Sequence, residues 1–233
     1  MTRDILVFDM DGVLVEVGDS YRETICQTVK HFTGTTIARD LVQEYKNQGG
    51  WNNDWLLSQK IVRDLGLDVP YQAVVDHFNR LFFGTVTDGI PDGLMARERW
   101  IAQPGALEDL NKQYRFSIFT GREREEAMMT LRRFANGMTF DPLVGADDVA
   151  RGKPDPEGLY MIHNLFPDAR LWYIGDTVDD ARASLAAGVP FIGVAAPDVA
   201  FRDRLLALFR ENRAVAVIDD INQLSSVLNQ ASG

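Results

Sequence analysis

Near the N-terminus the chain reads Ile5-Leu6-Val7-Phe8, which is followed at once by Asp9-Met10-Asp11-Gly12. A short, unbroken run of aliphatic and aromatic side chains is typical of a strand that is covered on both faces, as in a parallel sheet. The run ends abruptly at acidic residues and a glycine, which favour a turn. This stretch therefore predicts a buried strand with two carboxylates directly beyond its carboxyl end.

Segments further along the chain repeat this pattern of a short apolar run, then polar residues or glycine, then a sequence with helical periodicity. We predict strands at residues 116–119, 171–174 and 191–194, with a weaker one at residues 214–218. We predict helices at residues 123–135, 156–166, 178–187 and 200–209. Alternating strands and helices imply right-handed βαβ crossovers, so the sequence predicts an α/β fold with a doubly wound parallel sheet.

Residues 18–96 break this alternation. Ser20-Tyr21-Arg22-Glu23 has the S-x-x-E spacing of a capping box and opens a stretch with an apolar stripe at helical spacing. Two further amphipathic stretches follow, and no part of this region reads as a convincing strand. We therefore predict a helical domain over residues 18–96, inserted into a sheet domain that is formed by residues 1–17 and 97–233.

The composition is that of an acidic globular protein. The chain has 233 residues, of which 34 are acidic and 24 basic, and a formal net charge of −10. Such a chain repels phosphate backbones and anionic lipid surfaces, so we expect no nucleic-acid partner and no membrane partner. The single cysteine, Cys26, excludes an intramolecular disulfide, and with no signal-peptide pattern it favours a cytoplasmic location. The oligomeric state cannot be read from the sequence.

Other side chains that often carry chemistry form no pattern of that kind. The three histidines fit neither an H-E-x-x-H motif nor a Ser-His-Asp arrangement, and we predict that they are structural: His31, His77 and His163. Cys26 lies on the apolar side of the first inserted helix and is predicted to be a buried small hydrophobic residue.

The polar segments at one predicted edge of the sheet are the candidate site. In open α/β sheets, ligands bind beyond the carboxyl ends of the strands. If Asp9, Asp11, Asp176 and Asp180 converge there, up to four negative charges share one pocket. Two unit charges about 4 Å apart repel by about 4 kcal/mol at an effective dielectric constant of about 20. Such a cluster needs a cation, and carboxylate oxygens without histidine or cysteine favour Mg²⁺.

These residue types suit phosphoryl transfer. One aspartate can attack phosphorus as a nucleophile, while a second, two residues later, protonates the leaving alcohol and then activates water. The Thr120 hydroxyl and the Gly121 amide can hold phosphoryl oxygens, and Lys153 can neutralise their charge. Asp176 completes the metal shell, and Asp180, one helical turn later, can orient Asp176 or Lys153.

Residues 9–14, Thr120, Lys153-Pro154 and residues 175–180 resemble, in order and spacing, the four motifs of the haloacid dehalogenase superfamily. The resemblance implies a Rossmann-like core. The inserted helices resemble the cap of its phosphoglycolate-phosphatase-like and phosphoglucomutase-like branch. It further implies that Asp9 is the nucleophile and a metal ligand, and that Asp11 is the acid and base, whose backbone carbonyl also binds Mg²⁺.

The same resemblance narrows the reaction. The dehalogenases that name the superfamily lack an acidic residue two positions after the nucleophile and need no metal, whereas this chain has both Asp11 and Asp176. It therefore implies a Mg²⁺-dependent phosphatase that acts on a small phosphorylated metabolite through phospho-Asp9. A phosphomutase shares every motif and stays open, as does a non-catalytic binding module. Phosphoglycolate, a sugar phosphate, a nucleotide or histidinol phosphate are open as substrates.

Arg122 departs from the family pattern, in which many relatives have asparagine after the serine or threonine of the second motif. Here the motif reads Thr120-Gly121-Arg122. Arg122 either supplies an additional phosphate contact or is a solvated residue at the start of a helix.

The segment Gly49-Gly50-Trp51-Asn52-Asn53-Asp54 is a poor helix former and a good loop. In capped relatives, a loop in this region closes over the active site and contacts the leaving group. We therefore predict substrate contacts from Trp51 and Asn52. The alternative is a plain connection between helices, capped by Asn53 or Asp54.

Overall fold

The computed structural model describes residues 3–231, which form ten strands and ten α-helices. The strands are β1 (Ile5–Phe8), β2 (Val15–Glu16), β3 (Val86–Thr87), β4 (Ile90–Pro91), β5 (Arg99–Trp100), β6 (Arg115–Phe119), β7 (Leu143–Val144), β8 (Leu171–Gly175), β9 (Phe191–Val194) and β10 (Ala216–Ile218). The helices are α1 (Glu23–Thr33), α2 (Arg39–Gln48), α3 (Asp54–Asp64), α4 (Tyr71–Phe83), α5 (Ala106–Asn111), α6 (Arg124–Phe134), α7 (Glu157–Leu165), α8 (Val178–Ala187), α9 (Arg202–Glu211) and α10 (Leu224–Ala231).

The chain divides into two compact units. The first includes the chain up to Val15 and from Trp100 onward, and the second is Glu16–Arg99. The predicted insert, residues 18–96, falls inside this second unit, and its assignment as a cap stays a prediction. No helix within residues 3–231 combines the length and the apolar content that a membrane crossing requires.

The first unit is built on a six-stranded sheet in the order β10-β9-β8-β1-β6-β7. Each neighbouring pair of strands is parallel. The central strand β1 lies between β8 and β6, with Phe8 opposite Ile174 on one side and Ile118 on the other. The prediction of an α/β fold with a doubly wound parallel sheet is confirmed. The direction of winding reverses at β1, so ligands are expected beyond its carboxyl end.

Apolar burial explains why these segments are strands. Ile5, Leu6, Val7 and Phe8 are all fully buried. Each such side chain contributes roughly 1.5–3 kcal/mol when it is removed from water. Helices α7, α8 and α9 add side chains to the same core, including Leu159, Ala181 and Phe209. The core thus fixes the strand ends from which the polar residues project.

Some short elements of the first unit are not predicted from the sequence. Strand β7 has only two residues, Leu143–Val144, and α5 covers only Ala106–Asn111. Segments this short give no periodicity that can be read. The weakest predicted strand, residues 214–218, is reduced to Ala216–Ile218.

The second unit packs α1, α3 and α4 against one another. The prediction that it contains no strand is wrong, because β3 and β4 form an antiparallel hairpin in which Val86 pairs with Pro91. Its two-residue turn has positive φ angles at Asp88 (52°) and Gly89 (77°). Asp-Gly is a favoured sequence for such a turn, so the signal was present. Helix α2 was also not predicted.

The capping box predicted at residues 20–23 is wrong. Gly18–Arg22 forms a π-helical turn that leads into α1, so Ser20 lies inside a helical segment instead of before one. The Ser20 hydroxyl donates to the Val17 carbonyl at 3.4 Å. Glu23 accepts hydrogen bonds from Gln27 (2.9 Å) and Arg39 (2.8 Å). The S-x-x-E spacing fits a capping box, but the helical segment already begins with the π-helical turn at Gly18.

The remaining candidate side chains of the second unit have structural surroundings. The rings of His31 and His77 stack with 3.7 Å between centroids. Cys26 is half-buried instead of fully buried, and burial together with the charge of Glu23 raises the pKa of its thiol to about 11. A thiol with a raised pKa is a poor nucleophile at neutral pH.

Candidate active site

A tight turn follows β1 and positions the carboxylates of Asp9 and Asp11. The Asp9 amide donates to the Ile174 carbonyl at 2.8 Å, which continues the pairing of β1 with β8. The chain then reverses at Gly12, whose φ is +72° and whose amide donates to the Val15 carbonyl at 2.8 Å. A Cβ atom at Gly12 would lie 2.1 Å from Asp176 Oδ2, so any side chain here would have to displace Asp176, and the positive φ favours glycine. The turn therefore lies directly against Asp176.

Lys153 lies between two buried carboxylates. Its Nζ is 2.9 Å from Asp9 Oδ1 and donates to Asp180 Oδ1 at 2.7 Å. The Lys153 side chain is only 1% exposed, with its ammonium 5.4 Å from the Phe119 ring centroid and 5.8 Å from that of Tyr173. The prediction that Lys153 belongs to the same site as Asp9 agrees with this geometry.

Asp180 is the anchor of this network. It lies in the first turn of α8, where its Oδ2 accepts hydrogen bonds from the Thr177 amide (3.0 Å) and hydroxyl (2.6 Å). Its Oδ1 accepts from Lys153 and from the Tyr173 hydroxyl, at 2.6 Å for the latter. Both oxygens are thus engaged in holding Lys153 and the start of α8. Asp179, the alternative to Asp180, instead lies 3.7 Å from Arg182.

The ionisation of this network follows from its burial. Burial, with the negative charges of Asp180 and Asp11, raises the pKa of Asp9 to about 7, although Lys153 opposes this. Burial alone would lower the pKa of Lys153, but Asp180 and Asp9 raise it above its ordinary value. Burial also opposes ionisation of Asp180, yet Lys153 and the hydrogen bonds lower its pKa. The ammonium and the Asp180 carboxylate are therefore charged, and Asp9 would ionise more readily beside another cation.

The carboxylates form a group that fits a hard divalent cation. Asp9, Asp176 and Asp180 each offer one oxygen, and these oxygens lie within 4.8 Å of one another. A cation would stabilise the ionised form of the buried Asp9 carboxylate, whose pKa is raised. The donor set is oxygen only, which suits Mg²⁺ better than a softer metal. The side chain of Asp11, also predicted near the metal, does not belong to this group.

Asp11 is instead bound by Arg122. The guanidinium Nε donates to Asp11 Oδ1 at 2.7 Å, and Nη1 donates to the Thr130 hydroxyl at 2.7 Å. The Arg122 side chain is 1% exposed, so the alternative of a solvated residue at the helix start is wrong. A phosphate contact from Arg122 stays a prediction, and its Nε is already used by Asp11.

Thr120 and Gly121 follow β6 at the same edge of the sheet as Asp9. The Thr120 amide donates to the Val144 carbonyl at 3.0 Å, and its hydroxyl accepts a hydrogen bond from the Arg122 amide at 3.3 Å. Thr120 is buried and Gly121 is half-buried. The predicted phosphate contacts of both residues stay predictions.

The loop with Trp51 and Asn52 connects α2 and α3 in the second unit. The Asn53 side chain accepts a hydrogen bond from the Leu56 amide at 2.9 Å and so caps α3, as the alternative expected. The Trp51 ring lies edge-on to Tyr45 at 6.3 Å between centroids. Substrate contacts from Trp51 and Asn52 stay predictions.

Two polar side chains of this site were not found from the sequence. Tyr173 appears as one more apolar residue of a buried strand, and its hydroxyl supports Asp180. A tyrosine in such a run was the available signal, because a buried hydroxyl needs a partner. Thr130 anchors Arg122 from α6, and nothing in its local sequence indicates this role.

Comparisons with known proteins place the chain in a family. Residues 4–188 match the family model described as haloacid dehalogenase-like hydrolase. The chain is 25% identical over 240 residues to a phosphoglycolate phosphatase of Mesorhizobium japonicum, covering 100% of both chains. It is 32% identical over 201 residues to an imidazoleglycerol-phosphate dehydratase of Phytophthora nicotianae, covering 82% of this chain but only 43% of that protein.

Solved structures agree on the fold. A hydrolase from Pseudomonas syringae superposes with a TM-score of 0.69 at 18% identity, covering 98% of this chain and 99% of that one. The predictions of a Rossmann-like α/β fold and of an enzyme of the phosphatase class, in the phosphoglycolate-phosphatase-like branch, are confirmed. The chain belongs to the haloacid dehalogenase-like hydrolase family.

Proposed function

We propose that this protein is a Mg²⁺-dependent phosphatase that hydrolyses a small phosphorylated metabolite through a phospho-Asp9 intermediate. The observation that carries the proposal is the difference between the two carboxylates of one turn. Asp9 is 5% exposed and lies beside Lys153, whereas Asp11 is 29% exposed and is bound by Arg122. Phosphoryl transfer through the enzyme needs such a pair, with one carboxylate held as a nucleophile and another able to exchange a proton.

The balance of charges in the site supports the proposal of a bound Mg²⁺. When all four carboxylates are ionised, those of Asp9, Asp11, Asp176 and Asp180, they exceed the two cationic side chains, Lys153 and Arg122, by two negative charges. Asp9, Asp176 and the Asp11 carbonyl would hold Mg²⁺, while Asp180 stays hydrogen-bonded to Lys153. When bound, Mg²⁺ supplies positive charge that draws electron density from the phosphoryl group.

In the first step, a carboxylate oxygen of Asp9 attacks phosphorus. The bond between phosphorus and the alcohol oxygen breaks, its electron pair leaves with that oxygen, and Asp11 donates the proton. Lys153 and the Thr120 hydroxyl, with the Gly121 amide, stabilise the negative charge on the transferring oxygens. Because Lys153 is fixed by Asp180, it needs no rearrangement as the charge develops.

In the second step, water attacks the phosphorus of phospho-Asp9. Asp11, now a carboxylate, removes the proton from that water, and the bond between Asp9 and phosphorus breaks. Inorganic phosphate leaves and both aspartates return to their starting states. A phosphomutase would differ only here, because a hydroxyl of the substrate would accept the phosphoryl group in place of water.

We propose further that Glu16–Arg99 acts as a cap, in which Trp51 and Asn52 contact the leaving group, and that the substrate is a small phosphorylated metabolite. Relatives named phosphoglycolate phosphatase make phosphoglycolate the first candidate. A sugar phosphate, a nucleotide and histidinol phosphate are the others. We expect neither nucleic acid nor a membrane as partner, in keeping with the acidic net charge.

A metabolite screen with and without chelator tests the proposal. We expect release of inorganic phosphate from at least one of these substrates, loss of that activity with EDTA, and its return with Mg²⁺. Asp9→Asn is expected to lower turnover by at least about 10⁴-fold, as removal of a nucleophile does in other enzymes. Near-normal activity of Asp9→Asn would overturn the mechanism. Conversion of a sugar 1-phosphate to another sugar phosphate without phosphate release would identify a phosphomutase.

A further inference from the structure

We infer that Arg122 is a positioning residue that holds the carboxylate of Asp11 in place for proton transfer. The inference rests on the proposed function, because it assigns Arg122 a task only if Asp11 is the acid and base. It goes beyond the motifs, in which Arg122 is the departure from the common pattern.

The geometry of the contact supports this role. Arg122 Nε lies 2.7 Å and Nη2 2.5 Å from the same atom, Asp11 Oδ1. In the common pairing of arginine with a carboxylate, two guanidinium nitrogens donate to two different carboxylate oxygens. Here both nitrogens hold one oxygen, so Oδ2 is left to carry the exchanging proton while Oδ1 is fixed. A residue that served only as a counter-charge would need no such one-sided contact.

The depth of the two side chains shows which one is fixed. Arg122 is 1% exposed, whereas Asp11 is 29% exposed. The arginine therefore reaches from the interior to a carboxylate at the edge of the site. Without a partner, a carboxylate that is this exposed would sample several rotamers. The buried guanidinium restricts Asp11 to one of them.

The arginine is itself anchored on both sides. Its Nη1 donates to the Thr130 hydroxyl on α6 at 2.7 Å, and its carbonyl accepts a hydrogen bond from the Ala146 amide at 2.8 Å. Its amide donates to the Thr120 hydroxyl at 3.3 Å. Arg122 thus connects a predicted phosphate-binding residue, Thr120, to the predicted acid and base, Asp11. Movement of one would be transmitted to the other through a single buried residue.

Glu126 is a second acidic neighbour of the guanidinium. It lies in the first turn of α6, is buried, and accepts a hydrogen bond from the Glu123 amide at 2.9 Å. The positive charge of Arg122 favours its ionised form, although burial opposes this more strongly. The charge of Arg122 thus acts on Glu126 as well as on Asp11.

The test compares substrates that differ in how much they need an acid. A poor leaving group such as the phenolate of phenyl phosphate needs a proton as it departs, whereas the 4-nitrophenolate of 4-nitrophenyl phosphate departs readily without one. The ratio kcat/KM reports the steps up to departure of the leaving group. For Arg122→Ala we expect kcat/KM to fall about 100-fold with phenyl phosphate and less than about 10-fold with 4-nitrophenyl phosphate, since general acid catalysis supplies about 10²–10⁴-fold.

Arg132→Ala is the matched control. Arg132 lies on α6, the helix that carries Thr130, is 59% exposed and forms an ion pair with the exposed Glu125 at 3.0 Å. We expect it to leave kcat/KM unchanged with both substrates. Thr130→Val removes the hydroxyl that anchors Arg122 Nη1 and should lower kcat/KM several-fold for phenyl phosphate alone. It provides the same comparison if Arg122→Ala does not fold.

The outcomes separate the inference from the proposed function. Equal losses with both substrates, in Arg122→Ala or in Thr130→Val, would mean a purely structural role and would overturn the inference while the proposed function stands. A wild-type enzyme that hydrolyses neither ester, nor any metabolite of the screen, in the presence of Mg²⁺ would overturn the proposed function and the inference with it.

Discussion

Asp9 and Asp11 are two positions apart on one turn, yet each lies at a different depth and beside a different cation. Asp9 is 5% exposed and shares Lys153 with Asp180, so it belongs to a buried network of opposite charges. Asp11 is 29% exposed and is held by one buried arginine. The two carboxylates are neighbours in sequence, but their different surroundings suit them to different tasks.

The two arrangements suit two chemical tasks. A nucleophile gains from a fixed position and from exclusion of water, and both come from burial beside Lys153. A proton carrier must exchange its proton with the leaving group and then with water, which requires access.

Lys153→Met removes the cation on the Asp9 side and has the largest expected effect on stability. Two buried carboxylates would lose their counter-charge, which costs about 3–5 kcal/mol of unfolding free energy when a buried pair is broken. We also expect kcat to fall by about 10²–10³-fold, as when one fixed stabilising group is removed. Urea unfolding with EDTA present measures the first effect and steady-state kinetics the second.

Lys112→Ala is the control for this change, because Lys112 forms an exposed pair with Asp109 at 2.6 Å. We expect no measurable change in its urea midpoint, as for most surface pairs. An equal midpoint for Lys153→Met and Lys112→Ala would contradict the account of the buried network.

Asp11→Asn removes the proton carrier while keeping a side chain that Arg122 can still bond through its amide oxygen. We expect kcat/KM to fall about 10²–10⁴-fold with a phenyl or alkyl phosphate and much less with 4-nitrophenyl phosphate. Losses of similar size with every leaving group would show that Asp11 is not the acid. Circular dichroism and the urea midpoint establish that the variant is folded.

Glu126→Gln tests the ionisation of the buried acid next to Arg122. Burial raises the pKa of Glu126 from 4.5 to about 7, so the folded protein holds this proton more tightly than the unfolded chain. The stability that Glu126 contributes is therefore fully present below pH about 4.5 and is lost as the pH rises through about 7.

The neutral variant avoids this loss. At pH about 8 we expect Glu126→Gln to exceed wild type by on the order of 2–3 kcal/mol of unfolding free energy, with the gap closing towards pH about 4.5. Urea unfolding at several pH values gives the comparison, with Glu125→Gln as an exposed control on the same helix. A gap that does not change with pH would contradict the shifted pKa.

Gly12→Ala alters the turn that joins the two carboxylates and has the smallest expected effect. The φ of +72° costs alanine about 1–2 kcal/mol, and the methyl group would displace Asp176. Gly34→Ala is the matched control, because Gly34 has a φ of +71° with open space around it. Both variants should lose stability, but only Gly12→Ala should bind Mg²⁺ more weakly by calorimetry. Equal Mg²⁺ affinities would argue against Asp176 as a ligand.

The sequence predicts the strands and the acidic residues beyond them because each signal is contiguous. The run Ile5–Phe8 and the carboxylates that follow it form one short pattern, and the strands bring such patterns to one edge of the sheet. Asp180 could be expected there for the same reason, because it follows the strand predicted at residues 171–174. Lys153 follows no predicted strand, and its place in the site was expected from the other motifs.

The contact between Arg122 and Asp11 could not be predicted in this way. It joins side chains far apart in sequence and depends on one buried arginine rotamer, which no local pattern encodes. The errors at residues 20–23 and in the β3–β4 hairpin have another origin. In both places a local signal was present. Contacts with the neighbouring chain decide whether the helix starts at Ser20 or earlier. The Asp88-Gly89 dipeptide favours a hairpin turn, but it lies in a region whose other signals are helical.

The central claim is that Asp9 attacks phosphorus and Asp11 moves the proton, and the most direct test is to trap the phosphoryl group. Asp11→Asn would be mixed with Mg²⁺ and 4-nitrophenyl phosphate, quenched in acid, and its peptides analysed by mass spectrometry. We expect one phosphoryl group on Asp9, because the reactive ester can load the nucleophile while release to water is slowed. An unlabelled Asp9 peptide, or a phosphoryl group on another residue, would contradict it.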